Sequence, residues 1–434
     1  MVAKHIKNMH TKLTLICVLL CLATSSFGAP TSHLLFSIGA SIETTTNIYL
    51  APTDNKVSAN IYHALFSVDY KKKTARTDSI LNLTIDNRKY QHDLYPNTPI
   101  YTGAASFNVI LGDSRSVWET NDKAANVLAN NGLPDTPNNN QNVNYLTTGP
   151  RFVFFKNAKN SLDANLKYQN FYVEKDNTGY YGSIAGITYL RNVTRTFSAG
   201  LDLNYNYKNY LDNVDNTNYS LSTVALIFKK RMKLSSAEID VGESYINAAN
   251  HLSNNTNLFR AKYNHQLGEK NYLYLGYRRE LQDFSGVYAT TTQDGVLSNI
   301  SSDVFLLKEG VASFQKQFGF STIILTYTYF SNEYSDVNNP GNFITNDASL
   351  TYTNNISNSV SLSLRGSYSG TKFTASVMNN RTDTLRRYDI TIRKHFLNKY
   401  DISLNTRYSV QGSTDGVAIY DELRASITAN YYFR

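Results

Sequence analysis

Six histidines follow the first 28 residues: His33, His63, His92, His251, His265 and His395. Histidine moves protons near neutral pH, so these are the first places to look for catalysis. His92 is followed by Asp93, an acid–histidine pair of the kind that activates water, but a hydrolytic site of that type needs a second pair facing it. His265 sits between Asn264 and Gln266, and no nearby serine is marked as its nucleophile. Asp212, Asp215 and the asparagines between Asn206 and Asn218 supply oxygen ligands for calcium without the spacing of an EF-hand loop. No G-x-S-x-G, H-E-x-x-H, P-loop or dinucleotide fingerprint occurs. The expectation is a protein that is not an enzyme and uses no cofactor or metal.

Charge at regular spacing remains. Asp163, Lys167, Asp202, Arg278, Glu280, Arg365, Arg393, Arg407 and Arg424 all occupy the polar positions of segments in which polar and apolar residues alternate. The last four fall on consecutive segments near the C-terminus. Charges lining an aqueous pore set its ion preference, so these residues are candidates for lumen-lining charge. Asp389 and Asp401 lie close enough in sequence to neutralise some of the arginines. Tyr274 and Tyr432 share the polar positions and could stack on sugar rings or simply pack.

The elements that must carry these side chains are strands. Phe197, Ala199, Leu201, Leu203, Tyr205 and Tyr207 interleave with Gly200, Asp202, Asn204, Asn206 and Lys208. Leu162 to Gln169, Val360 to Arg365 and Asp401 to Val410 repeat the pattern. Side chains on a strand point to opposite faces in turn, so each run has one apolar and one polar face. The runs reach about ten residues, the length a tilted membrane-spanning strand needs and more than a sandwich strand uses. The 33 tyrosines suit strands with one end in hydrocarbon and the other at water. The fold class is therefore all-β: a transmembrane antiparallel up-and-down β-barrel.

Links between the runs alternate short and long. Asn354 to Ser359 is short and Ser331 to Phe343 long; Gln315 to Phe320 is short and Gln282 to Asp303 long. Bacterial barrels have short periplasmic turns and long external loops, which gives the chain its expected sidedness. Fifteen strands are expected from Arg151 onward. Leu35–Glu43, Ile61–Tyr70, Ile80–Tyr90 and Tyr101–Leu111 precede them, and an even total is required. If Tyr101–Leu111 is not a wall strand the total is about 18, and if a weak fifth strand lies near Ser116–Lys123 it is about 20. The Asn-rich stretch 124–148, with Pro134 and Pro137, reads as a long external loop and a candidate plug.

The N-terminus reads as a signal peptide over residues 1–28, with Lys4, Lys7 and Lys12 before the apolar run Leu13–Ala23. Residues 29–434 then form a single barrel domain. Cys17 and Cys21 both fall in the leader, and Leu20 before Cys21 is too large for a lipidation site. Removing the three leader lysines leaves 39 basic against 34 acidic residues, a net of +5, too mild to draw in nucleic acid. No apolar run of helical membrane-spanning length occurs.

Two motifs carry a resemblance. Glu43-Thr44-Thr45-Thr46-Asn47-Ile48-Tyr49-Leu50-Ala51-Pro52 follows the first strand, and Ser302-Asp303-Val304-Phe305 enters a later one. With the repeated Ser/Leu/Tyr strands, they resemble the β-barrel porins associated with exosortase (PEP-CTERM) and exopolysaccharide loci, over essentially the whole chain after the leader. The resemblance implies the bacterial outer membrane, passage of envelope or exopolysaccharide, and no catalytic residues. The chain's last strand, with Tyr431 and Phe433, resembles the terminal signal read by the barrel assembly machinery, although Arg434 follows the aromatic. Outer-membrane lipid, that machinery and polysaccharide are the expected partners.

Overall fold

The computed structural model describes residues 31–112, 115–130, 133–175, 179–211, 218–248, 254–290, 304–334, 341–375, 381–397, 399–416 and 419–433. The expected leader and both cysteines lie outside them.

Twenty antiparallel strands form one sheet, each paired with its sequence neighbours, and the first closes on the last. They are β1 Thr31–Thr45, β2 Ala59–Lys73, β3 Thr77–Tyr90, β4 Pro99–Ile110, β5 Ser116–Leu128, β6 Asn140–Lys156, β7 Asn160–Val173, β8 Tyr180–Asn192, β9 Phe197–Tyr210, β10 Tyr219–Arg231, β11 Ser235–Ala248, β12 Asn254–Gly268, β13 Asn271–Gln282, β14 Phe305–Phe318, β15 Ser321–Tyr334, β16 Phe343–Asn355, β17 Val360–Phe373, β18 Thr382–Phe396, β19 Tyr400–Ser413 and β20 Tyr420–Phe433. Among the described residues one α-helix, α1 (Phe284–Thr290), follows β13. Closure pairs β1 with β20 over Phe36–Thr45, so the wall has no open edge there, which a strand in hydrocarbon could not tolerate.

The count of twenty selects between the two sequence readings. Tyr101–Leu111 is wall strand, and the weak fifth strand exists and extends to Leu128. The expected loop 124–148 is corrected accordingly: β5 claims 124–128 and β6 claims 140–148, so the connection is 129–139. Asparagines hid these strand ends. Asn126, Asn142 and Asn144 instead hydrogen-bond side chains across the wall, Asn126 to Asn142 at 3.1 Å and Asn144 to Asp122 at 2.7 Å.

Connections at one end of the barrel run from two residues (269–270, 319–320) to five (111–115); at the other they run from five (249–253) to 22 (283–304). The short turns close on their own side chains. The Asn157 carboxamide oxygen accepts from the Lys159 and Asn160 amides at 2.9 and 2.8 Å, and the Thr74 and Ser357 hydroxyls accept in the same way. Gly319 takes a φ of +53° in the two-residue β14–β15 turn, where any side chain would be strained.

The outer face is apolar around the barrel: Leu166, Ile187, Leu226, Leu325, Leu350, Ile390 and Ile427 are all exposed on it. Aromatics band that face at both ends. Phe197 stacks on Phe228, and Tyr400, Tyr431 and Phe433 pack in sequence at the short-turn end, with centroids 5.0 and 4.6 Å apart. Tyr168, Tyr181, Tyr207, Tyr245 and Tyr368 mark the long-loop end. Such girdles sit where a barrel crosses from hydrocarbon to headgroups. Tyr431 and Phe433 thus lie on the closing seam, opposite Ile38 and Phe36 of β1.

Candidate solute path in the barrel lumen

Period-two geometry sends every second residue inward, and α1, folded into the barrel at the long-loop end, identifies that face. Every charge singled out from sequence is on it. Arg365, Asp389, Arg407, Arg424 and Thr45 occupy one register row across β17, β18, β19, β20 and β1. Arg393 lies in a lower row between Ser361 and Ser403. Asp163 and Lys167 point inward from β7, Asp202 from β9, and Arg278 and Glu280 from β13.

Most of these charges are neutralised where they stand. Arg407 Nε donates to Asp389 at 2.5 Å, whereas Arg424 lies 2.8 Å from Glu422 and 3.4 Å from Glu43. Lys167 and Arg151 share Glu119 at 2.6 and 3.1 Å, and Arg151 reaches Asp163 at 3.6 Å. Arg278 pairs with Glu309 and lies 3.6 Å from Glu280, which also accepts from Arg260. Asp202 accepts from Thr188 at 2.6 Å. Asp401 does not take an arginine; it accepts from Tyr432 at 2.6 Å and Asn430 at 2.8 Å. Among the described residues, Arg365 and Arg393 form no ion pair. Arg387, not singled out by sequence, faces inward beside Arg407, and its Nε has no hydrogen-bond partner. Its neighbour Arg386 disguised it: two adjacent arginines point to opposite faces, and only the register says which is inside.

The mouth at the long-loop end is largely filled. Asp283 caps α1, accepting from the Gly286 amide at 2.9 Å, and pairs with Lys208 of β9 at 2.6 Å. Lys208 also donates to Ser285 at 2.7 Å, and Tyr180 of β8 meets the same hydroxyl at 2.5 Å. The whole group is buried. Burial alone would raise the Asp283 pKa, but the Lys208 ammonium, with the Gly286 amide and the Tyr219 hydroxyl, holds it below the ordinary carboxylate range. Phe284, Val287 and Tyr288 pack against Phe171 and the inward aromatics of β8–β17, and Lys123 of β5 donates to the Tyr288 carbonyl at 2.8 Å. Sequence read Gln282 to Asp303 as a long external loop. FSGVYAT is too short to show helical periodicity, and Lys208 lies 75 residues from its partner.

The remaining part of the mouth is roofed by residues of three connections, 46–58, 91–98 and 129–139. Tyr95 packs edge-on against Tyr49 and Tyr90, with centroids 5.8 and 5.4 Å away, and meets Thr136 from 129–139. Burial, reinforced by the neighbouring Tyr49 and Tyr90 phenols, pushes the Tyr95 hydroxyl up to about 12. From the same loop, Asp135 acts electrostatically on Arg387, Tyr420 and Arg424 across the lumen.

The residues read for other chemistry do not assemble. His92 takes a positive φ of 58° in a turn and contacts Gln91. His265 points outward against Tyr263; Ser235 stands across from it in register, but His265 Nδ1 has no partner and orients no nucleophile. His63 hydrogen-bonds to Asp86 at 2.9 Å, and Asp86 pairs with Arg88 at 2.7 Å, on the inward face. His251, Asp212, Asp215, Ser302 and Asp303 lie outside the described residues. Asn47 of the first motif is a structural clamp. Its side chain donates to the Ala51 and Asp421 carbonyls at 2.7 and 3.1 Å and accepts from the Ala51 amide at 2.9 Å.

No protein-family profile matches the chain, and no curated protein resembles it in sequence. Solved barrels are similar in outline. The FrpB iron transporter of Neisseria meningitidis is 8% identical with a TM-score of 0.47, covering 92% of this chain and 81% of that one. OccK2 (OpdF) of Pseudomonas aeruginosa is 8% identical with a TM-score of 0.43, covering 93% and 98%. A BenF-like porin from Pseudomonas fluorescens is 11% identical with a TM-score of 0.43, covering 93% and 99%. The functional reading below rests on this chain's own geometry.

Proposed function

We propose that the chain is a porin-like channel of the bacterial outer membrane that passes small hydrophilic solutes. The observation carrying this reading is the closed twenty-strand wall, banded by aromatics and apolar outside, with a polar, ion-paired inner face. Barrels of 16–18 strands already leave an aqueous channel, and twenty leave a wider one. Because the strongest ion pairs cancel, selectivity falls to the less compensated arginines Arg365, Arg387 and Arg393. Arg407 and Arg424 hold the wall together as much as they face the solute. Envelope or exopolysaccharide as cargo is the finer form of the proposal, supported by the two motifs. Lipid surrounds the outer face, and Tyr431 and Phe433 serve the assembly machinery as the terminal signal.

A second reading, a closed structural or adhesive barrel acting through its external loops, is favoured by α1 and its buried lock. Single-channel recording of the refolded chain in a planar bilayer, with and without acidic oligosaccharides, separates the two. Steady conductance supports the channel, and block by the sugars supports saccharide passage. A folded, inserted and silent barrel supports closure.

A further inference from the structure

A cavity of about 410 Å³ opens on the inner wall at the short-turn end, far from the aromatic mouth, lined by Asn264, Gln266, Tyr272, Tyr274, Ser313 and Gln315. Two adjacent register rows build it across β12, β13 and β14: Asn264–Tyr274–Ser313 and Gln266–Tyr272–Gln315. Arg231, His265, Met232, Leu234 and Leu273 also line it, so the amides, hydroxyls and two phenols stand beside apolar surface and one guanidinium. Tyr274 adopts a particular pose. A Cβ on Gly276 would stand 2.6 Å from the Tyr274 hydroxyl and 3.0 Å from Cζ, so the end of the ring lies over the space that glycine leaves. Tyr272, one pleat away at roughly 7 Å, is exposed beside it.

We propose that this cavity is a docking subsite for a neutral sugar unit, with the ring stacking on Tyr274 and its hydroxyls hydrogen-bonding to Asn264, Gln266 and Gln315. The chemistry fits. A pyranose offers an apolar C–H face to an aromatic plane and a rim of hydroxyls that both donate and accept, as carboxamides do. Gly276 is the positioning residue, since it leaves the room that the end of the Tyr274 ring occupies. The inference deepens the channel reading and rests on it for its route of entry.

The test is maltohexaose binding to the refolded chain in detergent by calorimetry, repeated as current block in a bilayer. Wild type should bind and block. Tyr274→Ala should weaken binding by about 3- to 10-fold, the scale of one aromatic contact. Gly276→Ala, which keeps the tyrosine but lifts its ring, should weaken binding similarly, while Tyr274→Phe should stay near wild type. Retained mobility of the folded form in an unheated gel shows that each variant still forms a barrel. Binding that is absent in wild type, unchanged in Tyr274→Ala, or stronger for an acidic hexasaccharide overturns the subsite. Sugar binding by a barrel that carries no current upholds the subsite and overturns the open channel. Current without sugar binding does the reverse.

Discussion

The two ends of the lumen are built from opposite materials. At the long-loop end the inward positions are Phe171, Tyr180, Tyr219, Phe305, Phe330, Phe343 and Phe373, which meet around α1 and are almost fully buried. Toward the short-turn end the inward positions include Ser161 of β7, Ser198 of β9 and Ser363 of β17, with Ser313, Thr326 and Ser349 in one row at mid-wall, beside the amides and phenols of Gln266, Tyr272 and Gln315. Large rings converge and fill the space around α1, whereas these mostly smaller polar side chains leave more room. A uniform wall radius thus yields a narrow mouth and an open vestibule, and the outer face stays the same along its length. Restriction in this molecule is set by inward side-chain volume and docked loops, not by the number of strands.

The contrast breaks most readily at the lock. Lys208→Ala strands the buried Asp283 carboxylate and should cost about 3–5 kcal/mol of α1 docking, seen as faster hydrogen exchange across 283–290 and higher conductance. The double variant Lys208→Met, Asp283→Leu should keep the helix docked; loosening as large as in Lys208→Ala would mean that packing, not the stranded charge, governs it. Acid acts on the same lock. The Asp283 pKa lies below its ordinary 3.8, so its contribution is fully present above that pH and is lost as pH falls through the lower folded value. Conductance should hold steady from neutral pH to about pH 4 and rise only below it. A rise between pH 6 and 5 would assign the gate to another group.

Smaller effects sharpen the inside–outside contrast. Leu350→Lys on the lipid-facing wall should destabilise the barrel by roughly 2–4 kcal/mol in urea titrations in lipid, while the neighbouring Ser349→Lys should cost little and shift ion preference instead. Equal losses at both positions would contradict the assigned faces. Last, Arg387→Gln should reduce anion preference more than Arg407→Ser does, because Arg407 is already paired with Asp389. Reversal potentials in a salt gradient measure both; an unchanged value in Arg387→Gln removes it from the solute path.

The wall was legible in the sequence. Alternation is a local property with a period of two, so Leu162–Gln169 and Phe197–Lys208 declare strand, faces and approximate length without reference to any neighbour. Parity did the same for the charges, and Asp163, Lys167, Asp202, Arg278, Arg365, Arg393, Arg407 and Arg424 all face inward as their positions require. The weak places were those where polar residues occupy both faces. Asn126, Asn142 and Asn144 blurred β5 and β6 into a loop, because asparagine signals a turn unless a cross-strand partner is present.

What the sequence determined by itself was therefore the wall: β-structure, long amphipathic strands, alternating short and long connections, and the side of the wall each residue occupies wherever polar and apolar residues alternate cleanly. Tertiary structure alone decided what the lumen does. Which arginines are cancelled, that Lys208 meets Asp283, and that Asp135 acts on Arg387 all depend on register or on contacts across the barrel. Side-chain direction is settled within two residues of backbone, whereas charge compensation and closure are settled by whichever strand or loop arrives opposite. That arrival is fixed only when the sheet closes on itself.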